Sequence, residues 1–169
     1  RSSNEHEASR RMKTEFLVQI DGVTANLNQD NRVLVMGATN RPFELDTAIL
    51  RRFTKRIYIP LPDSAARLAL IKNALGSQRT KLSQYELDRI AKMTDGFSGS
   101  DLKALCQDAS MVAIREMGSH QILTIKAEEL RPINMNDFAM SLKRVRPSVS
   151  HEAIQELMQW NKEFGTVTL

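Results

Sequence analysis

The sequence predicts an α/β layer that gives way, after Gly76, to an all-helical second half. Three observations predict it. Val33-Leu34-Val35-Met36 is apolar at every position and breaks at Gly37, as a central strand of a parallel sheet covered on both faces would. Arg56-Ile57-Tyr58-Ile59 reads as a second strand, closed by Pro60 and Pro62. Beyond Gly76, capping signals and helical apolar spacing recur without further strand signals.

The elements follow in order. Ala8, Met12, Phe16 and Ile20, with Leu17 beside them, form one face of an amphipathic helix over 5–20 that stops near Asp21-Gly22. A polar loop with Asn26, Asn28, Gln29, Asp30 and Asn31 leads to the first strand. Asp46 caps a short helix through Ala48, Ile49 and Leu50 that ends in Arg51-Arg52. Ser64 to Leu75 is helical, with Gly76 placed to end it. Two strands are too few for a self-sufficient sheet, so residues 1–76 read as a piece of something larger.

Ser83-Gln84-Tyr85-Glu86 is a capping box, and Leu87, Ile90 and Ala91 give the helix behind it an apolar face that ends near Gly96. Ser98, with Asp101 three residues on, starts a helix whose stripe is Leu102, Leu105, Cys106, Ala109, Ala113 and Met117, stopped at Gly118. Asn136 begins a helix carrying Phe138, Leu142 and Val145, ended by Pro147. Ser150 caps a last helix with Ile154, Leu157, Trp160 and Phe164, closed by Gly165. The expected organisation is 1–76 as an α/β part, 77–148 as a helical bundle and 149–169 as a terminal helix.

Composition narrows the function classes. The 169 residues are 41% hydrophobic and 26% charged, which is ordinary for a globular chain. No run approaches the ~18 apolar residues of a membrane span. The single cysteine, Cys106, lies on an apolar helix face and reads as a buried thiol; a reducing compartment is the expectation. The net charge of +4 resolves into +5 over residues 1–80 and −1 over 81–169, which favours an acidic partner or a phosphate with the first half, although proteins that bind nothing acidic also carry such a half. No aromatic stacking platform accompanies that charge, so no specific nucleic acid is expected.

Two places can carry chemistry. Asn40 follows the first strand at its carboxyl end, where open α/β sheets hold ligands. Its amide offers a donor and an acceptor that suit a water held against a phosphate, but Asn-Arg-Pro is also a turn sequence. Arg51-Arg52 ends a helix, where positive charge complements the dipole; a guanidinium there can equally serve a neighbour's phosphate. His6, His120 and His151 have no metal-ligand spacing, and the seven glycines form no G-x-x-x-x-G-K-[ST] phosphate loop. Gly96-Phe97-Ser98-Gly99 lacks the flanks of a nucleophile elbow, and Lys143, Arg144 and Arg146 read as a solvated basic face.

Read in order, these residues resemble the AAA ATPases of the microtubule-severing and vacuolar-sorting group. Ser9 to Leu17 with Asp21-Gly22 is similar to the helix after the Walker B carboxylates, and Val33 to Pro42 (VLVMGATNRP) to the sensor-1 strand. Leu50-Arg51-Arg52-Phe53 resembles the arginine-finger segment, Met93 to Leu102 (MTDGFSGSDL) the sensor-2 region of the helical lid, and Val145 to Ser150 with Trp160 to Gly165 the group's ending. The resemblance implies a partial P-loop NTPase subdomain, a lid and a terminal helix packed back on the large subdomain. It implies ATP and Mg²⁺ bound mainly by residues upstream, with Asn40 as sensor 1 and Arg51 and Arg52 as fingers acting in trans. Gly99 and Ser100 would approach the nucleotide, and Arg1, Glu5 and His6 would end a substrate pore loop. The implied whole is a cytoplasmic, cytoskeletal homohexamer, with a nuclear or perinuclear site as the alternative, that pulls tubulin tails from microtubules through its pore. Without Walker A and Walker B, this chain alone is expected to be inactive. A different polypeptide substrate, or a non-catalytic interaction module, are the alternatives.

Overall fold

The structure, a computed structural model, describes residues 2–25, 33–117 and 129–166, with side chains in the first of these segments described from residue 7 to residue 22. The described elements are the helices α1 (Ser2–Ala25), α2 (Thr47–Arg52), α3 (Ser64–Leu75), α4 (Gln84–Met93), α5 (Gly99–Arg115), α6 (Met135–Ser141) and α7 (His151–Phe164), with a 3-10 turn at Pro42–Glu44. They divide into two compact units, one of residues 1–58 and 155–169, the other of residues 59–154.

The second unit holds a closed hydrophobic core. Ile71 and Leu75 of α3, Ile90 and Ala91 of α4, Leu102, Leu105, Cys106 and Ala109 of α5 and Phe138 of α6 are buried together with Phe97 and Ile133. The expected caps build it. Ser83 and Glu86 form a reciprocal capping box on α4, and Ser98 and Asp101 another on α5. Asp63 caps α3, while Gly76 (φ 51°) and Gly96 (φ 78°) take left-handed turns that a Cβ would strain. The α6 helix starts earlier and ends sooner than its apolar spacing predicts. Asn134, not Asn136, is its cap, bonded to the Asn136 and Asp137 amides, and Leu142 already lies past its end.

The buried Arg67 and the buried Asp137 organise this unit. Arg67, 6% exposed, donates to the Pro62 and Ala91 carbonyls and pairs with Asp95. Arg131 grips Asp137 through two bonds of 2.8 Å and reaches Glu116 at 2.6 Å. An isolated parallel bridge joins Thr80 to Ile133, framed by Lys81 N–H to the Ile133 carbonyl and Ile133 N–H to the Arg79 carbonyl.

In the first unit the expected strands do not form. Val33–Met36 and Arg56–Ile59 are irregular, and no strand ladder occurs among the described residues. Leu34, Met36 and Ile59 are each more than 80% exposed, the opposite of a strand covered on both faces. The cause is that a strand is shared structure: without neighbours to accept its N–H groups and helices to cover its sides, an apolar run has nothing to hold it straight. The predicted face of α1 is likewise open at Met12 and Phe16 and buried at Ile20. Gly22 does not end α1, which continues to Ala25; a helical glycine costs about 1 kcal/mol but breaks nothing unless the chain turns left-handed there. The predicted 26–31 loop, His120 and the Gly118 stop lie outside the described residues.

Candidate functional site

Asn40 sits in a bend, exposed, with no side-chain partner among the described residues. Its surroundings explain the bend. The Arg41 N–H donates to Thr39 Oγ1 at 3.0 Å, Pro42 is buried at the start of the 3-10 turn, and Arg41 pairs with Glu44 at 2.9 Å. The residue is therefore both a turn position and an amide presented to solvent.

The arginine pair ends α2, a six-residue helix with no buried residue. A helix this short does not persist unaided, since nucleation outweighs so few backbone bonds. Side chains hold it at both ends. Asp46 accepts the Ile49 N–H at 2.9 Å and is ion-paired with Lys13 of α1, and these contacts, the Lys13 bond foremost, hold its carboxyl below the ordinary value. At the other end Arg52 forms a two-pronged pair with Asp21 of α1, Nε to Oδ1 at 2.8 Å and Nη2 to Oδ2 at 2.6 Å, and Nη1 donates to the Ala48 carbonyl. The bond lowers the Asp21 carboxyl and raises the Arg52 guanidinium. Arg51 is exposed and has no such partner among the described residues.

A further cation that the sequence reading missed closes this cluster. Arg56 donates from Nη2 to the Leu50 carbonyl, at the end of α2, and from Nη1 to the Phe164 carbonyl, at the end of α7. Nothing local flags Arg56, Lys13 or Asp21 as structural partners, because the pairs span long stretches of sequence. On α7, Trp160 and Phe164 stack at 5.3 Å.

In the other unit, Gly99 and Ser100 are the first two residues of α5 and are exposed. Asp101 behind them completes the capping box with Ser98. Burial pushes its carboxyl up, but the Ser98 and Ser148 bonds outweigh that and leave it below its ordinary value. Burial also pushes the Cys106 thiol up to about 11, as a structural thiol requires. An open groove of about 520 Å³ beside Met93, Phe97, Leu142 and Val145 is lined by none of the predicted site residues. Glu5 and His6 fall on α1 without described side chains, and Arg1 lies outside the described residues. Among the described residues no group of three or more His, Cys, Asp or Glu could hold a metal ion, so no step is assigned to Mg²⁺ here. No described helix is long and apolar enough to cross a membrane.

Residues 1–61 match the model of the ATPase family associated with various cellular activities (AAA), and residues 85–138 match the AAA+ lid domain. The chain belongs to the AAA family, as part of its α/β subdomain followed by its helical lid. Spastins are among its relatives, and FIGL-1 and katanin among the solved structures it resembles, which places it in the microtubule-severing group. It is 57% identical to a spastin of Naegleria gruberi over 98% of this chain and 32% of that one, and 52% identical to Homo sapiens spastin over 100% and 27%. Its fold matches a crystal structure of the FIGL-1 AAA domain at TM-score 0.87, with 45% identity over 96% of this chain and 54% of that chain; the same domain has been solved in complex with ADP. A katanin self-assembly structure matches at TM-score 0.76 and 36% identity over 92% and 54%. The chain thus spans about a third or less of the spastins and about half of the solved chains.

Proposed function

We propose that this chain is part of a microtubule-severing ATPase that works as a homohexamer, drawing tubulin tails through a central pore at the expense of ATP. The observation that carries the reading is the identity of 50% or more with spastins from Naegleria to Homo over nearly the whole chain. The first unit supplies Asn40, which orients the attacking water or senses the γ-phosphate. It also supplies the Arg51–Arg52 pair, whose positive charge meets the nucleotide of a neighbouring subunit and stabilises the charge that builds on the transferred phosphoryl group. Gly99 and Ser100 bring the lid to the nucleotide. Glu5 and His6, with Arg1, belong to the end of a loop that faces the threaded polypeptide, and the +5 charge of residues 1–80 suits an acidic one.

The working place of such an enzyme is the cytoplasm, on microtubules. The 169-residue chain by itself turns over no ATP in this reading, because it has no phosphate-binding loop. ATP turnover by the complete protein, with and without microtubules, is the test. Stimulation by microtubules supports the severing reading; turnover without stimulation moves the substrate to another polypeptide; turnover by the isolated chain overturns its assigned dependence on the phosphate loop.

A further inference from the structure

The basic residues that follow α6 are not all committed. Arg144 is paired with Asp108 at 3.2 Å, whereas Lys143 and Arg146 are exposed and have no ion-pair partner among the described residues. The chain from Val145 to Ser150 is irregular backbone leading into α7, and Ser148 within it is exposed. A contact with the start of α5 holds it. The Ser148 N–H donates to Asp101 Oδ2 at 3.2 Å, longer than the bonds that Ser98 Oγ and the Ser98 N–H make to the same oxygen, 2.8 and 2.9 Å. The Ser148 side chain bonds this carboxyl as well. Ser150 is differently employed: its Oγ accepts the Ala153 N–H at 3.2 Å as the cap of α7.

We propose that Ser148 is a phosphorylation site for a serine kinase that reads basic residues ahead of its target, and that the phosphate releases the 145–150 segment from Asp101. Arg146 and Lys143 stand two and five positions before Ser148, uncommitted and exposed, where an acidic kinase cleft can bond them. Residues 145–149 have no helix to unwind before they enter such a cleft. In the transfer, Ser148 Oγ attacks the γ-phosphorus of the kinase's ATP and the bond from that phosphorus to its bridging oxygen breaks. ADP departs, and the hydroxyl proton passes to the kinase's carboxylate base. The product sets a charge of about −1.5 to −2 against Asp101, which is 7% exposed and poorly screened by water. Repulsion between the two anions acts on the longer Ser148 bond, so the segment leaves while the Ser98–Asp101 capping box stays.

The test treats the complete protein with ATP and the catalytic domain of either the cyclic-AMP-dependent kinase or protein kinase C, and locates the phosphate by mass spectrometry. Phosphate is expected on Ser148, entering about tenfold more slowly in Arg146→Ala and about threefold more slowly in Lys143→Ala, with each variant's fold checked by circular dichroism. No phosphate on Ser148 with either kinase, phosphate on Ser150 in its place, or a rate indifferent to Arg146→Ala would overturn the site. Hydrogen exchange then reads the release. Phosphorylation is expected to quicken exchange of the 145–150 amides about tenfold in the wild type and by about twofold or less in Asp101→Asn, where an uncharged amide replaces the carboxylate. Equal quickening in both backgrounds, or none in the wild type, would overturn release through Asp101.

Discussion

Arg56 and Thr166, 110 residues apart, are joined through both backbones: the Thr166 N–H donates to the Arg56 carbonyl at 2.9 Å, and the Arg56 N–H donates to Thr166 Oγ1 at 2.9 Å. From that anchored position the Arg56 guanidinium bonds the Leu50 and Phe164 carbonyls, satisfying acceptors that helix ends leave open. The end of α7 and the end of the arginine-bearing helix are therefore held by one residue.

Thr166→Val removes the hydroxyl and keeps the shape, and should loosen this junction by about 1 kcal/mol; Arg56→Met removes both side-chain bonds and should cost about 2 kcal/mol. Hydrogen exchange at the Phe53 amide, which bonds the Ile49 carbonyl, reports it. Exchange should quicken about fivefold in the first variant and about thirtyfold in the second. Unchanged exchange in Arg56→Met would show that α2 is held without it.

Asp101 and Asp137 define an acid limb of stability. Burial pushes both carboxyls up, but Ser98 and Ser148 around Asp101, and Arg131 and Asn134 around Asp137, hold them below the ordinary 3.8. A folded-state value below the unfolded one gives stabilisation that is complete above about pH 4 and is lost as pH falls through the folded values. Denaturation midpoints of the lid helices should therefore fall steeply below pH 4. Asp137→Asn should flatten that fall while lowering stability at pH 7, where Arg131 loses the buried one of its two carboxylate partners; a parallel acid limb in the variant would assign the fall to other groups.

Asn40→Ala should leave the bend intact, because Thr39, Arg41, Pro42 and Glu44 make its contacts. Nucleotide affinity of the complete protein should stay within about twofold. The single-turnover rate should drop about a hundredfold if the amide positions the attacking water. A wild-type rate would leave Asn40 as a turn residue.

Gly99 separates a packing role from a nucleotide role. A Cβ there would meet Leu70 Cδ1 at 3.9 Å, an ordinary contact, so Gly99→Ala should fold with an unchanged melting temperature. Ser98→Ala, by contrast, removes the cap of α5 and should cost about 1 kcal/mol. Weakened ATP binding in Gly99→Ala without destabilisation would mark close approach of the nucleotide; unchanged binding would remove Gly99 from the site.

How far the sequence could be read depended on the range of the interactions. The starts of α2, α4, α5 and α7 were legible because a cap and its helix lie within four residues of each other, and Asp46, Ser83, Ser98 and Ser150 bond where their spacing says. So was the lid core, since the stripe from Leu102 to Ala109 is set by helical period alone. The family, too, could be recognised from ordered motifs such as VLVMGATNRP and MTDGFSGSDL. The strand readings at Val33–Met36 and Arg56–Ile59 went wrong in this chain because apolarity records where a segment is meant to be covered, not whether the cover is there.

By itself the sequence determined where the helices lie, the caps of α2, α4, α5 and α7, the lid core and the AAA family, all of which rest on local backbone bonds and one-face burial. Tertiary structure decided what the charges do. That Arg52 is spent on Asp21 while Arg51 stays exposed, that Lys13 serves Asp46, and that Arg56 joins Leu50 to Phe164 are facts of approach between residues far apart in the chain. An ion pair has no period and no spacing rule; it is set by where packing brings two side chains, so two adjacent arginines identical in sequence become different in kind only once the chain has folded.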